Sequence, residues 1–204
     1  FIDRFFFSAQ AFGVQVILFF NKIDLYSKKL IIQNQNLISE YSKIGYRCIS
    51  LSALNDDIIE VKSIVENKNN LISGHSGVGK STLINKLLGP TNISTNEISQ
   101  RHDQGQHTTT FSELYRLDFG GTIIDTPGIK GFGLVNIDVD NLSDYFPEFL
   151  SLKQDCKFNN CKHINEPNCK VKEALENGQI SKDRYSNYLS MLETEESIYR
   201  TNNY

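Results

Sequence analysis

The sequence predicts an α/β fold with a mostly parallel sheet covered by helices on both faces, followed by a small, mainly helical module. The first observation is that short apolar stretches, such as "VQVILFF" near the start, alternate with longer helical stretches. The second is a change of composition at about Asn141, after which aromatic, Cys and Lys residues dominate. We therefore expect a first domain at residues 1–140 and a C-terminal domain at residues 141–204.

Length and composition leave room for a buried core. The 204 residues are 39% hydrophobic and 22% charged, with a net charge of −3. No apolar run approaches the ~20 residues of a membrane-spanning helix, and we expect no membrane association. The mildly acidic balance argues against a general nucleic-acid coat. The opening residues lack the pattern of a signal peptide, and Met191 is the only methionine, so we expect a piece of a longer protein.

The pattern of apolar residues and turn residues predicts strands and helices along the chain. The strands are "VQVILFF", "YRCISLSA", "LISG", "SELYRLDF" and "GTIIDTPG", and the last two are joined by a turn at Gly120–Gly121. The helices are residues 27–44, residues 58–65, "KSTLINKLLG", which Gly89 and Pro90 end, and a helix from Ser181. Residues 91–110 are polar without periodicity, which predicts a mobile loop.

The last predicted helix has one apolar face, because Tyr185, Tyr188, Leu189 and Leu192 are spaced i, i+3, i+4 and i+7. We expect this face to pack onto the C-terminal module or onto the main domain. A surface for a partner is the alternative.

The segment "GHSGVGKS", Gly74 to Ser81, satisfies the pattern G-x-x-x-x-G-K-[ST]. Gly74, Gly77 and Gly79 allow a tight turn in which successive backbone N–H groups point at phosphate oxygens. Lys80 brings a cation to the β- and γ-phosphates, and the Ser81 hydroxyl is placed to bind Mg²⁺. The helix that follows directs its positive N-terminal end at the same anion. The segment therefore predicts a nucleotide site, without choosing between ATP and GTP.

The segment "NKID", at the end of an apolar strand, indicates guanine. The Asp24 carboxylate can accept hydrogen bonds from guanine N1–H and the 2-amino group, a donor pair that adenine lacks. Asn21 can bond the other base edge and brace the phosphate loop, and the Lys22 stem can lie along the base. At the end of the next strand, "SLSAL" presents the Ala53 N–H to guanine O6, while Ser52 shapes the loop. We therefore predict GTP.

The segment "IIDTPG" completes the predicted site. Asp125 ends an apolar strand, as expected for a carboxylate that holds Mg²⁺ through water, and Gly128 offers its N–H to the γ-phosphate. The predicted GTP-binding residues are Asn21, Lys22, Ile23, Asp24, Ser52, Ala53, Gly74, His75, Ser76, Gly77, Val78, Gly79, Lys80, Ser81, Thr82, Asp125 and Gly128.

The order of these motifs differs from that of an ordinary P-loop GTPase. Along the chain they come as "NKID", "SAL", "GHSGVGKS", "GQHTTT" and "DTPG", whereas the usual order begins with the phosphate loop and ends with the two base-binding motifs. Each block keeps its internal order, which indicates a circular permutation. Such a change is tolerated because a site depends on positions in space, and domain termini often lie close together. We therefore predict a circularly permuted P-loop GTPase domain.

Three cysteines and a histidine lie within fourteen residues, in the pattern Cys156-x₄-Cys161-x-His163-x₅-Cys169. Three thiolates and one imidazole are the ligand set of a closed structural zinc site, which leaves no open position for a catalytic water. This clustering favours a metal site rather than disulfides, and it indicates a reducing compartment. We therefore expect a cytoplasmic protein with one structural Zn²⁺. Cys48 is predicted to be a small core residue.

Together these segments resemble the circularly permuted, ribosome small-subunit-dependent GTPases of the RsgA type. The resemblance covers nearly the whole chain and rests on "NKIDL", "GYRCISLSA", "SGHSGVGKSTLINKLLG", "GQHTTT", "IIDTPGIKGFGL" and "CKFNNCKHINEPNC". It implies GTP hydrolysis in late maturation of the small (30S) ribosomal subunit, stimulated by that subunit, with GTP, GDP and rRNA as partners of a monomer. Family members also carry an N-terminal OB-fold and a first GTPase-domain strand, and neither is present in this sequence.

The residue after "DTPG" is Ile129, where many GTPases have a Gln that orients the attacking water. Another group must therefore position the water. His107 in "GQHTTT" is the candidate, since the resemblance implies this role for the matching His. One of Thr108, Thr109 and Thr110 is expected to complete the Mg²⁺ shell, and we select Thr109.

Two questions stay open in the sequence. Lys157, Lys162, Lys170 and Lys172 suit phosphate contacts with rRNA, but their acidic neighbours make an ordinary solvated surface an equally good explanation. The alternative functions are a P-loop ATPase and a non-enzymatic rRNA-binding module with a vestigial nucleotide site. The permuted order and the zinc module both argue against a translation factor-like GTPase.

Overall fold

The structure of the chain is a computed structural model that describes residues 2–89, 112–126 and 139–201. It divides into two compact units. The helical unit comprises the described residues of Phe1–Leu18, Gln35–Cys48 and Gly131–Tyr204, and the phosphate-loop unit comprises those of Phe19–Asn34 and Ile49–Lys130. The helical unit therefore draws segments from the first 48 residues as well as from the C-terminal part. The domain boundary that we expect between residues 140 and 141 stays a prediction.

Helices and strands alternate along the first part of the chain, and the described residues from 139 onward are mainly helical. In chain order the elements are α1 (Ile2–Ala11), β1 (Ile17–Asn21), α2 (Lys28–Lys43), β2 (Arg47–Leu51), α3 (Ile59–Val65), β3 (Asn69–Ile72), α4 (Lys80–Leu88), β4 (Glu113–Arg116), β5 (Thr122–Asp125), α5 (Pro147–Lys153), α6 (Lys170–Glu176) and α7 (Lys182–Thr201). Short 3₁₀ helices occupy Ile23–Leu25 and Val139–Tyr145. None of the helices in these ranges combines the length and the apolar character needed to cross a membrane.

The described strands form two hydrogen-bonded sheets. β1 pairs with β2, and in the second sheet β5 lies between β3 and β4. β3 runs parallel to β5, with Ile72 opposite Asp125, and β4 runs antiparallel to β5, which confirms the predicted hairpin. Gly121 in its turn has a φ of 93°, and a Cβ there would lie 2.5 Å from the Lys68 carbonyl oxygen. The turn therefore requires glycine at this position.

α4 begins at Lys80, directly after the glycine-rich segment, and its buried face consists of Leu83, Ile84 and Leu87. Gly89 follows with a φ of 70°, and its N–H donates to the Asn85 carbonyl, so the helix ends in a conformation that glycine favours. The predicted start and end of this helix are confirmed to within one residue.

The core of the helical unit is aromatic and includes the cysteine cluster. Phe146 and Phe149 are stacked with ring centroids 5.0 Å apart, and the Tyr188 ring meets both of them edge-on. Tyr188 and Leu192 of α7 are buried in this core. The prediction that the apolar face of α7 packs onto the module is therefore confirmed, and the alternative of a partner surface is wrong.

α1 is an element that the sequence patterns did not predict, and it enters the helical unit through a buried acid. Asp3, Phe6 and Phe7 form its buried face. Asp3 Oδ1 accepts hydrogen bonds from Arg184 Nη1 at 2.5 Å and from the Tyr41 hydroxyl at 2.9 Å. Burial and the neighbouring Asp3 carboxylate raise the pKa of Tyr41, so its hydroxyl remains a donor.

Arg184 has a second acidic partner in Glu148 of α5. Its Nε and Nη2 donate to the two carboxylate oxygens of Glu148 at 2.8 and 2.9 Å, which is a bidentate pair. The guanidinium also lies 4.8 Å from the centre of the Phe146 ring. Burial alone would lower the pKa of Arg184, but Glu148 and Asp3 raise it above its ordinary value, so the charge is kept inside the unit.

Candidate functional site

The phosphate loop, residues 74–79, connects β3 to α4 at the carboxyl end of the second sheet. The Lys80 ammonium donates hydrogen bonds to the carbonyl oxygens of Gly74 at 2.6 Å and His75 at 3.1 Å. The ammonium therefore lies over the loop itself, where the phosphates of a nucleotide are predicted to bind. Ser81 and Thr82 follow in the first turn of α4 and are exposed.

Gly79 marks the closest approach between the phosphate loop and the predicted guanine motif. Its φ is 98°, and a Cβ at this position would collide with the Asn21 side-chain amide nitrogen and lie 3.7 Å from Lys22 Cε. Both the backbone conformation and the available space therefore require glycine. The two motifs, distant in the sequence, are adjacent in the phosphate-loop unit.

The Asn21 side chain joins three segments of that unit. Its amide nitrogen donates to the Val78 carbonyl at 2.9 Å, and its amide oxygen accepts the Ala53 N–H at 2.8 Å. The Tyr26 hydroxyl donates to the Asn21 backbone carbonyl at 2.8 Å. One amide thus connects the phosphate loop with the "SAL" loop. The Ala53 N–H that we predict for guanine O6 is the same group that bonds Asn21.

The rest of the guanine motif lies on the surface. Lys22 has a φ of 65°, in the left-handed region, and it precedes the 3₁₀ helix that carries Ile23 and Asp24. Asp24 is exposed, so its carboxylate is open to a base.

The "SAL" loop, residues 52–54, is held from several sides. Ser52 and Ala53 are buried, and the Ser52 N–H donates to the Asp56 carboxylate at 2.6 Å. Lys86, on the second turn of α4, donates to the backbone carbonyl of Asp56 and to that of Leu54 at 3.4 Å. The helix that starts at the phosphate loop therefore also fixes the loop predicted to meet the base.

Asp125 lies at the same sheet edge as the phosphate loop. It is opposite Ile72, the last residue of β3, and because the two strands are parallel their carboxyl ends coincide. Thr126 fixes this edge, since its N–H and its hydroxyl both donate to the Ile72 carbonyl, at 3.3 and 3.0 Å. The Asp125 carboxylate is buried, so the edge offers an acidic group next to the start of the phosphate loop.

The predicted metal ligands come together in the helical unit. The donor atoms of Cys156, Cys161, His163 and Cys169 all lie within 4.8 Å of one another, and all four residues are buried. His163 Nδ1 is 3.3 Å from Cys169 Sγ and 3.8 Å from Cys156 Sγ. With ordinary Zn–S and Zn–N bond lengths, the corresponding edge of a tetrahedron is about 3.6 Å. The four donors therefore fit a tetrahedral metal ion in both chemistry and spacing.

Burial sets the protonation preferences of this cluster. It lowers the pKa of His163, which favours the neutral imidazole that a metal requires. Burial also raises the pKa of the Cys161 thiol to about 12 and raises that of Cys169. Nδ1 is the ring nitrogen of His163 that faces the sulfur atoms. The Nε2 atom is buried and has no hydrogen-bond partner among the described residues.

Two solved structures share this fold. One is the crystal structure of YjeQ from Thermotoga maritima, with a TM-score of 0.77 and 34% identity over 95% of this chain and 64% of that chain. The other is YloQ, described as a circularly permuted GTPase, with a TM-score of 0.76 and 28% identity over 96% of this chain and 62% of that chain. The fold is that of a circularly permuted GTPase, as predicted.

Sequence comparison agrees with the structural one. The chain is 51% identical over its whole length to the small ribosomal subunit biogenesis GTPase RsgA of Flavobacterium psychrophilum, and 49% identical to that of Christiangramia forsetii. It spans 63% and 65% of the lengths of these two relatives. The family model "RsgA GTPase" matches residues 1–135. The chain belongs to the RsgA GTPase family.

Some site residues expected for an RsgA GTPase lie outside the described ranges. These are His107, Thr108, Thr109, Thr110, Gly128 and Ile129. Their roles therefore stay predictions. The described residues bring together the guanine motif, the "SAL" loop, the phosphate loop and Asp125 in one unit, and the four metal ligands in the other.

Several groups that support these sites carry no motif in the sequence. Lys86 is one, because its contacts are with backbone carbonyls of a distant loop.

Glu166 is another, in the cysteine cluster. Although burial raises its pKa, the backbone N–H groups of Lys162 and Ile164 lower it more, so the pKa lies below its ordinary value. The sequence feature that could have indicated Glu166 is its position between two predicted ligands, in "HINEPNC".

Proposed function

We propose that this chain binds and hydrolyses GTP in late maturation of the small (30S) ribosomal subunit, and that the subunit stimulates hydrolysis. The observation that carries the proposal is the Asn21 side chain, whose amide joins the guanine motif to the phosphate loop. The relatives in the same family bear the name small ribosomal subunit biogenesis GTPase, which supports the ribosomal role.

Guanine selection is assigned to Asp24. Its exposed carboxylate would accept hydrogen bonds from guanine N1–H and the 2-amino group, whereas adenine would leave it without donors. Asn21 holds the motif against the phosphate loop, and the Lys22 stem lies along the base. Ala53 and Ser52 close the opposite side, and the Ala53 N–H, which donates to Asn21 in the structure, would turn to guanine O6 when the base binds.

Phosphate binding is assigned to residues 74–82. The Lys80 ammonium would exchange its two loop carbonyl partners for the β- and γ-phosphate oxygens, which carry more charge. Ser81 and Asp125 are oxygen donors of the kind that Mg²⁺ prefers, the first as a direct ligand and the second through water. When bound, Mg²⁺ neutralises charge on the β- and γ-phosphates. Thr109 is the proposed third protein group, and Gly128 the proposed donor to the γ-phosphate.

Hydrolysis is assigned to His107 as the residue that orients the attacking water. Ile129, at the position where many GTPases have a Gln, has no hydrogen-bonding side chain. We propose that contact with the 30S subunit brings residues 91–110, and His107 with them, into the active arrangement. The chemistry needed from the side chain is a hydrogen bond to water, which a neutral imidazole provides.

The cysteine cluster is assigned one structural Zn²⁺, held by Cys156, Cys161, His163 and Cys169. Its four protein donors support a closed site, since a catalytic zinc keeps one position open for water. Metal analysis of the purified protein should find one zinc per chain. Cys156→Ser should lower this ratio and the melting temperature, whereas Cys48→Ser, the matched control, should leave the zinc ratio unchanged.

The helical unit is the part proposed to contact rRNA, through Lys157 and Lys172 in particular. The nearby lysines at 162 and 170 have acidic partners, Asp140 and Glu173. We further propose that the protein acts as a monomer in the cytoplasm, where the cysteines stay reduced.

Multiple-turnover release of phosphate tests the proposal. The purified protein is incubated with GTP or ATP, with and without 30S subunits, as wild type, Asp24→Asn, His107→Ala and the control His102→Ala. We expect GTP turnover that 30S subunits stimulate in the wild type and the control but not in His107→Ala. Asp24→Asn should weaken GTP binding and favour xanthine nucleotides.

The other outcomes are equally informative. Equal turnover of ATP and GTP would indicate a P-loop ATPase. The absence of turnover with 30S subunits present, together with retained 30S binding, would indicate an rRNA-binding module with a vestigial nucleotide site. Equal stimulation of wild type and His107→Ala would remove His107 from the mechanism.

A further inference from the structure

The segment between Cys161 and Cys169 presents a metal ligand without a helix or a strand to hold it. Two of its residues, His163 and Asn168, have positive φ values of 58° and 57°, which non-glycine residues adopt only at a cost. A backbone of this kind needs other partners for its polar groups. The side chain of Glu166 supplies three of them.

Glu166 accepts three backbone hydrogen bonds from the residues around His163. Its Oε1 accepts the Lys162 N–H at 2.7 Å, and its Oε2 accepts the N–H groups of Ile164 at 2.8 Å and Asn165 at 3.0 Å. The carboxylate therefore bonds the residue before the ligand and the two residues after it. Bonds to a charged acceptor are stronger than bonds between neutral groups.

Two carbonyl groups of this segment accept hydrogen bonds from side chains of α7. The Tyr188 hydroxyl donates to the Lys162 carbonyl at 2.7 Å, and the Tyr185 hydroxyl donates to the His163 carbonyl at 2.6 Å. The backbone at His163 is thus held on its donor side by Glu166 and on its acceptor side by two tyrosines. The imidazole itself is completely buried and meets the Phe149 ring edge-on at 5.9 Å.

The charge of the cluster indicates that Glu166 is explained by the hydrogen bonds it accepts, and not by attraction to the metal site. Three thiolates and one Zn²⁺ leave a net charge of −1, so a further carboxylate beside the cluster is repelled by it. A neutral side chain would avoid that repulsion. A side-chain amide, however, has only one acceptor oxygen, whereas the carboxylate accepts the three N–H groups with two charged oxygens. The carboxylate is the group that satisfies this backbone.

We propose that Glu166 is a positioning residue for the metal site, which fixes His163 Nδ1 in the direction of the three sulfur atoms before the ion binds. The inference rests on the proposed zinc site. It predicts that the loss of Glu166 weakens metal binding by releasing the imidazole, while the three thiol ligands remain in the chain.

The test compares Glu166→Gln with Glu173→Gln in the full chain. Glu173 is an exposed acid of the same unit that pairs with Lys170, so its substitution removes the same charge near the cluster without touching the His163 backbone. Zn²⁺ affinity is measured by competition with a chromogenic chelator. The ligand-field spectrum of the Co²⁺-loaded protein reports whether the imidazole remains a tetrahedral ligand.

We expect Glu166→Gln to weaken Zn²⁺ binding by about 10- to 100-fold and to shift or weaken the Co²⁺ bands. The Glu173→Gln protein should match the wild type in both. Glu166→Asp keeps the charge and serves as the test variant if Glu166→Gln does not fold. It should bind with intermediate affinity, because its shorter side chain reaches fewer of the three N–H groups.

Failure of the zinc site and failure of the proposed role of Glu166 would give different results. If the wild type binds no metal, the zinc site itself fails. If the wild type binds zinc and both Glu166 variants retain its affinity and its Co²⁺ spectrum, the zinc site stands and the role of Glu166 is overturned. A variant that melts earlier but keeps the wild-type spectrum would show that Glu166 only stabilises the loop, which also overturns the proposal.

Discussion

Asn21 and Val78 are 57 positions apart in the sequence, and the Asn21 amide donates a hydrogen bond of 2.9 Å to the Val78 carbonyl. The other end of the same amide accepts the Ala53 N–H. One side chain therefore connects the loop predicted to bind phosphate with the loop predicted to bind the base. These segments are far apart along the permuted chain and adjacent in the structure.

Asn21→Ala should weaken binding of both GTP and GDP. The substitution removes the bonds of the Asn21 amide to Val78 and Ala53, so the two loops are no longer fixed relative to each other. At about 0.5–1.5 kcal/mol for each bond, the cost is about 1–3 kcal/mol, or roughly a 5- to 150-fold loss of affinity. Titration with a fluorescent GDP analogue measures the change. Asn36→Ala on the exposed side of α2 is the control and should bind like the wild type. Unchanged affinity in Asn21→Ala would contradict the bracing role.

Lys86→Met should reduce guanine affinity while leaving the phosphate loop in place. Lys86 donates to the carbonyl groups of Leu54 and Asp56, and its loss frees the "SAL" loop. Hydrogen bonds of this kind contribute about 0.5–1.5 kcal/mol, so we expect a decrease of roughly 2- to 12-fold. Calorimetric titration with GDP checks this. The exposed Lys29→Met is the charge-matched control, and an equal decrease in both variants would assign the effect to net charge alone.

Arg184→Met should strongly destabilise the helical unit. Arg184 is buried, and its removal leaves Asp3 and Glu148 without their cation. Removing one partner of a buried ion pair costs about 3–5 kcal/mol. Urea unfolding followed by circular dichroism measures the loss. The control is Lys170→Met, which breaks the exposed pair with Glu173 and should cost less than about 1 kcal/mol. Similar losses in the two variants would mean that the buried network adds nothing.

Alkaline solution should destabilise the fold through its buried tyrosines. Burial raises the pKa of Tyr188, and burial with the Asp3 charge raises that of Tyr41. Because the folded pKa is the higher one, their stabilisation is complete below the unfolded value, which is about 10, and is lost as the pH rises above it. Each such tyrosine should lower the free energy of unfolding by about 1.4 kcal/mol per pH unit in this window.

Tyrosine absorbance during an alkaline titration checks this expectation. Tyr41 and Tyr188 should ionise only when the protein unfolds, so their absorbance change should coincide with the loss of structure. Tyr41→Phe should reduce the dependence of stability on pH by one titrating group. A slope identical to that of the wild type would show that Tyr41 ionises normally in the folded protein.

The sequence predicted those parts of the fold that depend on local patterns. The strand–loop–helix at residues 69–88 and the hairpin at Gly120–Gly121 follow from glycine positions and apolar runs, and the structure confirms both. The clustering of the four candidate metal ligands was predictable because their spacing and chemistry are specific. The guanine motif and the phosphate loop were identified by residue type, and the predicted contact of Asn21 with the phosphate loop is present. The close approach at Gly79 was not predictable, because it depends on the folded positions of both motifs.

The remainder depends on contacts between distant segments. The segment "IDRFFFSAQA" contains an acid, Asp3, on the face that is buried. A buried acid is not expected from the sequence, because the Arg184 cation that compensates it lies on α7, far along the chain. Glu166 is similar, since an acid in a loop between cysteines is ordinarily a solvated residue. Its three backbone partners are set by the positive φ at His163, which no residue pattern indicates.

The pair of Asp3 and Arg184 also has a consequence for biosynthesis. The two residues are 181 positions apart, so at ordinary rates of translation the acid leaves the peptidyl-transferase centre on the order of ten to forty seconds before its cation exists. During that interval the first helix cannot settle in its final place without burying an uncompensated carboxylate. The helical unit therefore closes only after Arg184 has been synthesised, and until then the aromatic residues of its core lack part of their final packing.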